Sequence, residues 1–227
     1  MGVISNLFQG GEMMDFSFVK ADYGTLSLIK TLALVFLILV YSYKAYKLTR
    51  FRLLKDISAP KGDPQKGAMC SLTVNARPWA MDSSRNLTNN WLEFVVFHVG
   101  IVAAILVSFI IPYWPELLAS TAVTGAFMIV IGLGFLAGVV RMVKKFTKPE
   151  KRLISSKDDF FSIIIINIFL LLGAAAMTGN HGIVIAFLVF TTFLLIYVPL
   201  SKISHYLYWP FARYYMGKHF GRRGIYM

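Results

Sequence analysis

Cysteine is nearly absent from this 227-residue chain: Cys70 is the only one. That excludes a disulfide framework and a thiolate-held metal cluster. Histidine is scarce, with four residues, and acidic side chains number 11 against 23 Lys and Arg. No spanning segment carries a central carboxylate or a broken-helix signature, which argues against a small transporter. The formal net charge of +12 has the sign that suits nucleic acid, yet no aromatic reading motif or basic helix accompanies it, so nucleic acid is set aside as a partner. The first twenty-odd residues lack an apolar core long enough for a signal peptide. Insertion is therefore expected to use the first spanning helix as an uncleaved signal.

What the chain has in abundance is apolar sequence: 57% hydrophobic, 15% aromatic, with a mean hydropathy of +0.64. Such a composition indicates an integral membrane protein. A bilayer core of roughly 30 Å takes about 20 apolar residues in a helix. Five segments meet that length, near 26–47, 93–112, 118–141, 160–178 and 182–204, and lipid forces each to be helical because it satisfies no free backbone group. The expected fold is an all-α membrane protein, a five-transmembrane-helix bundle. It divides into an external segment 1–25, a membrane domain 26–213 with a loop at 48–92, and a basic tail 214–227.

Charge orients the bundle. Apart from Lys20 and Lys30, every Lys and Arg falls within 44–92, 141–159 or the stretch after 201. By the positive-inside rule the amino terminus is outside and the carboxyl terminus cytoplasmic. Trp91, Tyr113, Trp114, Tyr206, Tyr208 and Trp209 mark span edges. Pro112 and Pro115 are expected to make an outer turn, and Pro210 to bend the chain after the fifth helix.

His98 and His205 lie in or at the end of apolar spans on the same expected side, so both could reach one porphyrin iron. Position alone leaves a second reading open, with His98 hydrogen-bonded to a neighbouring helix and His205 simply interfacial. His181, in an outer turn, reads as solvated, and His219 as surface or partner-facing. Gly134 and Gly138 form a small-xxx-small pair that suits close helix packing or a flat cofactor. Gly132, Gly134 and Arg141 are the residues expected around such a cofactor, with Arg141 a candidate for a propionate and also a topology determinant.

Two short motifs then carry a family resemblance. Phe97-His98-Val99-Gly100-Ile101 and Val198-Pro199-Leu200-Ser201-Lys202-Ile203-Ser204-His205 resemble the inner ends of the second and fifth helices in the gamma subunit of respiratory nitrate reductases and related membrane cytochromes b. The run Leu153 to Asp159 is similar as well. The resemblance implies a b-type haem between His98 and His205. The positions of the family's outer-haem ligands hold Ser108 and Phe187, so it implies one haem only.

On this resemblance the chain is a cytochrome b subunit of the prokaryotic inner membrane. It would pass electrons between a quinone pool, menaquinone or ubiquinone, and a cytoplasmic iron–sulfur or catalytic subunit, with no catalytic residue of its own. Glu93, Lys202 and Tyr206 are the candidates for a quinone site at the haem's level. The alternative is a haem-free anchor whose basic loops dock soluble redox subunits. The loop 48–92, with Pro60, Gly62, Pro64 and Gly67, could cover a partner, and its polar stretch Cys70 to Asn90 is expected to fold only against another subunit.

Overall fold

A computed structural model describes Phe16 and residues 24–51, 57, 59–74 and 88–226, with the side chains of 88 and 89 excepted. Most of the expected external segment, including Lys20, lies outside the described residues, as do Arg52, Lys55, Arg77, Arg85 and the part of the polar stretch from 75 to 87. Among the described residues all regular structure is helical. The α-helices are α1 (Gly24–Arg50), α2 (Pro64–Thr73), α3 (Thr88–Tyr113), α4 (Thr121–Thr147), α5 (Pro149–Leu153), α6 (Lys157–Ala176), α7 (His181–Tyr197) and α8 (His205–Arg222). Short 3-10 turns occupy Pro115–Leu118, Val198–Leu200 and Lys202–Ser204.

Five helices are long and apolar enough to cross a bilayer: Gly24–Arg50, Asn90–Tyr113, Thr121–Thr147, Lys157–Ala176 and His181–Leu200. They correspond to the five expected spans. The chain is thus an all-α, multi-pass integral membrane protein. α1, α3 and α4 run past the expected apolar segments at one or both ends, whereas α6 stops at Ala176 and α7 at Tyr197, short of the expected 178 and 204. Ser156 opens α6 with a capping box: its hydroxyl accepts from the Asp159 N–H, and the Asp159 carboxylate accepts from the Ser156 N–H at 2.7 Å. This local helix start accounts for the polar end of the 153–159 run. Asn180 caps α7 by accepting from the Ile183 N–H at 3.2 Å. Gly179 turns the chain between α6 and α7 at φ 73°, a conformation glycine adopts without Cβ strain.

The described chain divides into two compact units. The first comprises residues up to Leu34 and Phe94–Leu195; the second comprises Val35–Glu93 and Ile196–Met227. In the first, α3 and α4 meet at a pair of glycines. A Cβ on Gly100 would lie 2.6 Å from the Gly134 Cα, and one on Gly134 would lie 2.7 Å from the Gly100 Cα. One turn further along α4, Gly138 abuts the Phe97 ring and the Asn167 side chain of α6. Phe187 of α7 is fully buried and stacks on Phe169 of α6 at 5.4 Å, against the Gly173 backbone. In lipid, where apolar surfaces gain little by meeting one another, such close approaches supply the van der Waals contact that holds helices together.

In the second unit α2 packs on α8 through small residues of both helices. Gly67 and Ser71 on α2 face Gly217 and Gly221 on α8; a Cβ on Gly221 would lie 2.7 Å from the Gly67 Cα, and one on Gly217 the same distance from the Ser71 Cβ. The Lys61 and Gly62 N–H groups both donate to the Arg222 carbonyl, at 2.8 and 3.1 Å, and the Asp63 N–H donates to the Tyr226 hydroxyl at 2.9 Å. The stretch from 61 to 73 therefore finds its partner within this chain. The expected basic tail is helical as far as Arg222, in one helix with the residues before it. The fifth span ends at the 3-10 turn around Pro199, since a proline interrupts the backbone bonding of an α-helix. Pro210 instead lies inside α8 and is not the bend expected from sequence.

Candidate functional site

The site that the folded chain builds deepest is around Lys30, whose charge stands out in an apolar span. Its side chain is 2% exposed. The amine donates to the backbone carbonyl of Ser108 and lies 4.5 Å from the centre of the Phe109 ring and 5.9 Å from that of Tyr113. The reason lies four residues along α3. In an α-helix the carbonyl of residue 108 would accept from the N–H of residue 112, but residue 112 is proline and has none. Pro112 thus frees the Ser108 carbonyl inside the bilayer, and Lys30 fills the vacant donor position. Intramembrane cations pair with backbone carbonyls in this way, and the two aromatic faces add cation–π attraction. Thr31 hydrogen-bonds Tyr113 at 3.0 Å beside it.

The second unit repeats the arrangement. Lys44, fourteen residues along α1, donates to the carbonyl of Pro199 at the break after α7, and its amine lies 5.6 Å from the Tyr208 ring centre. Both contacts join a lysine of α1 to a carbonyl in a proline-disturbed stretch. Next to Lys44, the hydroxyls of Tyr41 and Tyr206 bond each other and their rings meet edge-on at 5.6 Å. Desolvation raises the Tyr206 phenol above its ordinary pKa, against the opposing effect of that bond. It is neutral at physiological pH.

The residues expected around a haem have other surroundings. His98 is half-buried; its Nδ1 is 2.7 Å from the Phe94 carbonyl one turn back, and its ring lies 4.0 Å from that of Phe94. His205 is exposed at the start of α8, with Nδ1 3.3 Å from the Lys202 carbonyl. The two belong to different units. Gly134 is occupied by Gly100, whereas a Cβ on Gly132 would meet nothing within 4 Å. The Arg141 guanidinium sits 5.4 Å from the Phe97 ring centre and 6.0 Å from that of Phe94. Of the quinone candidates, Glu93 is half-buried on α3, Lys202 is exposed in a 3-10 turn, and Tyr206 pairs with Tyr41. Ser108 is buried with its hydroxyl on the Ile105 carbonyl at 2.7 Å. Ser108 thus bonds back within its own helix, and Phe187 packs on Phe169. His181 is exposed at the first residue of α7, and His219 is exposed on α8.

Lys30 escaped the sequence reading, although its signal is present: a lone lysine in one span, and a proline in the next. Asn167, 4% exposed in the middle of α6, escaped it too. Its amide nitrogen donates to the Ile163 carbonyl at 2.7 Å, while its Oδ1 has no hydrogen-bond partner.

The family model for Got1/Sft2-like proteins matches residues 91–204, half of the chain and four of its five spans. The chain belongs to the Got1/Sft2-like family. No curated protein and no solved structure matches it. The family overturns the cytochrome b reading: the nitrate reductase gamma-subunit resemblance, haem b, the quinone-linked respiratory role and the iron–sulfur partner all fall with it. The haem-free anchor for redox subunits falls for the same reason. Among the described residues no three His, Cys, Asp or Glu gather where they could hold a metal ion. In this chain Phe97 and Gly100 of the motif pack on Gly138 and Gly134 of α4, contacts that helix packing alone favours, with or without a cofactor.

Proposed function

We propose that this protein acts in vesicle transport between eukaryotic endomembranes, the Golgi among them, as a multi-pass membrane component that works through contacts with lipid and trafficking proteins of the SNARE type. The observation that carries this reading is the family match across the second to fifth spans, 91–204. The compartment replaces the prokaryotic inner membrane expected from sequence. In this setting the basic stretches face the cytosol and the α1 amino terminus faces the lumen, in keeping with the positive-inside rule. The Lys30 and Lys44 contacts then serve as fixed polar joints: Lys30 satisfies a carbonyl that Pro112 leaves without its helical donor, and Lys44 satisfies the Pro199 carbonyl at the break after α7.

The test is made in cells from which the protein has been depleted. Tagged full-length chain is expected to fractionate with Golgi and endosomal membranes, and depletion to slow the arrival of secretory cargo at the cell surface severalfold. Residence in respiratory membranes, with cargo transport unchanged, would overturn the reading.

A further inference from the structure

Between the third and fourth spans the first unit holds an open cavity of about 740 Å³ lined by Phe146, Pro149, Arg152, Leu153 and Phe160. Its volume lies in the range of roughly 300–1,000 Å³ usual for small-molecule sites. We propose that this cavity binds one anionic phospholipid, with the phosphate on Arg152 and an acyl chain along Phe146, Leu153 and Phe160. The inference is independent of the trafficking reading, because it rests on the cavity's chemistry and its place at a span end.

The place is set by the helices. α4 ends at Thr147 after a basic last turn and α6 begins at Lys157, so α5 joins two spans at their charged ends, where an interface is expected. Leu153 and Ile154 at its end are 87% and 85% exposed, a level of apolar exposure that water penalises and the headgroup–acyl boundary rewards. The Phe146 and Phe160 rings lie 4.8 Å apart and form one wall, and the Lys145 amine lies 5.6 Å from the centre of the Phe160 ring.

Charge selects the headgroup. The lining has a guanidinium and no carboxylate, and Lys144, Lys148 and Lys151 lie in the same short stretch. Of the nearby acids, Asp159 is held in the Ser156 capping box, Asp158 occupies the first turn of α6, and Glu150, exposed in the first turn of α5, is not among the lining residues. A guanidinium binds a phosphate through paired N–H donors, and each interfacial cation adds to the attraction for anionic lipid. Four apolar side chains around one cation match an amphiphile; a free phosphate would leave those walls unpaired.

The experiment is native mass spectrometry of the full chain released from nanodiscs of phosphatidylcholine containing one-fifth phosphatidylserine or phosphatidylinositol 4-phosphate. One retained anionic lipid per chain is expected, preferred about tenfold over phosphatidylcholine. R152Q should abolish that preference, and F160A should reduce retention of both lipid types. R223Q, a charge-matched change just past the end of α8, should retain the wild-type pattern. If R152Q kept the preference, if R223Q lost it equally, or if inorganic phosphate alone displaced the lipid, the proposal would be overturned. Circular dichroism of each variant confirms that the helices are intact.

Discussion

Lys30 and Pro112 show how a single residue type can reverse its usual meaning inside a bilayer. A lysine inside a span is costly and a proline within a helix weakens it, yet here each answers the other through the Ser108 carbonyl. Lys30→Met leaves that carbonyl without a donor, and about 1–3 kcal/mol of stability should be lost. Pro112→Ala alone restores a backbone N–H and strands the amine, which should also destabilise. Combined, the two changes should recover most of the loss, because the helix then closes its own hydrogen bond. Unfolding in mixed micelles, read as a double-mutant cycle, checks this; additive losses would mean that Lys30 and Pro112 are not coupled. The glycines give a second test at this scale. Gly100→Ala forces a methyl against the Gly134 backbone, with an expected cost of about 1–3 kcal/mol, whereas Gly132→Ala, with nothing within 4 Å, should be neutral in the same assay.

At the scale of elements, spans were legible and their faces were not. The five apolar runs predict five helices, since length and hydropathy are local properties and lipid permits no other backbone form. Helices that are apolar all round carry no periodic stripe to mark which side meets a neighbour, so the Gly100–Gly134 contact could not be placed from sequence. Outside the bilayer the small-residue pairs Gly67/Ser71 and Gly217/Gly221 were visible as punctuation but not as partners, because they lie about 150 positions apart. The α2–α8 clasp makes its own prediction. Gly217→Leu should separate the two helices and expose 61–73 and 205–226 to protease and hydrogen exchange, while protection of the α3–α4 pair is retained. Equal loss of protection in both regions would contradict the division into two units.

For the whole molecule, the testable statement concerns topology, and the scarcity of cysteine supplies the probe. Cys70, half-exposed on α2, should react with a membrane-impermeant maleimide from the cytosolic side of sealed vesicles only. In a C70S background, N180C in the turn between α6 and α7 should react only from the lumenal side. Labelling of both from one side would refute the proposed orientation. The same level exposes why the cytochrome reading failed. His98 and His205 share a membrane face in the sequence pattern, and that shared depth, together with two short motifs, is all that points to ligation. Depth says nothing of which way a side chain points, and each motif contains residues that packing alone demands.

By itself, the sequence determined that the protein crosses a membrane, how many helices do so, and which segments carry the positive charge, because hydrophobicity and charge act on each segment separately. Only the tertiary structure decided that Lys30 satisfies a carbonyl released by Pro112, that glycines of α3 and α4 meet, and that the stretch 61–73 finds its partner in α8. These depend on the rotation and register of helices far apart in the chain, where a shift of one residue turns a side chain by about 100° and replaces a hydrogen bond with lipid.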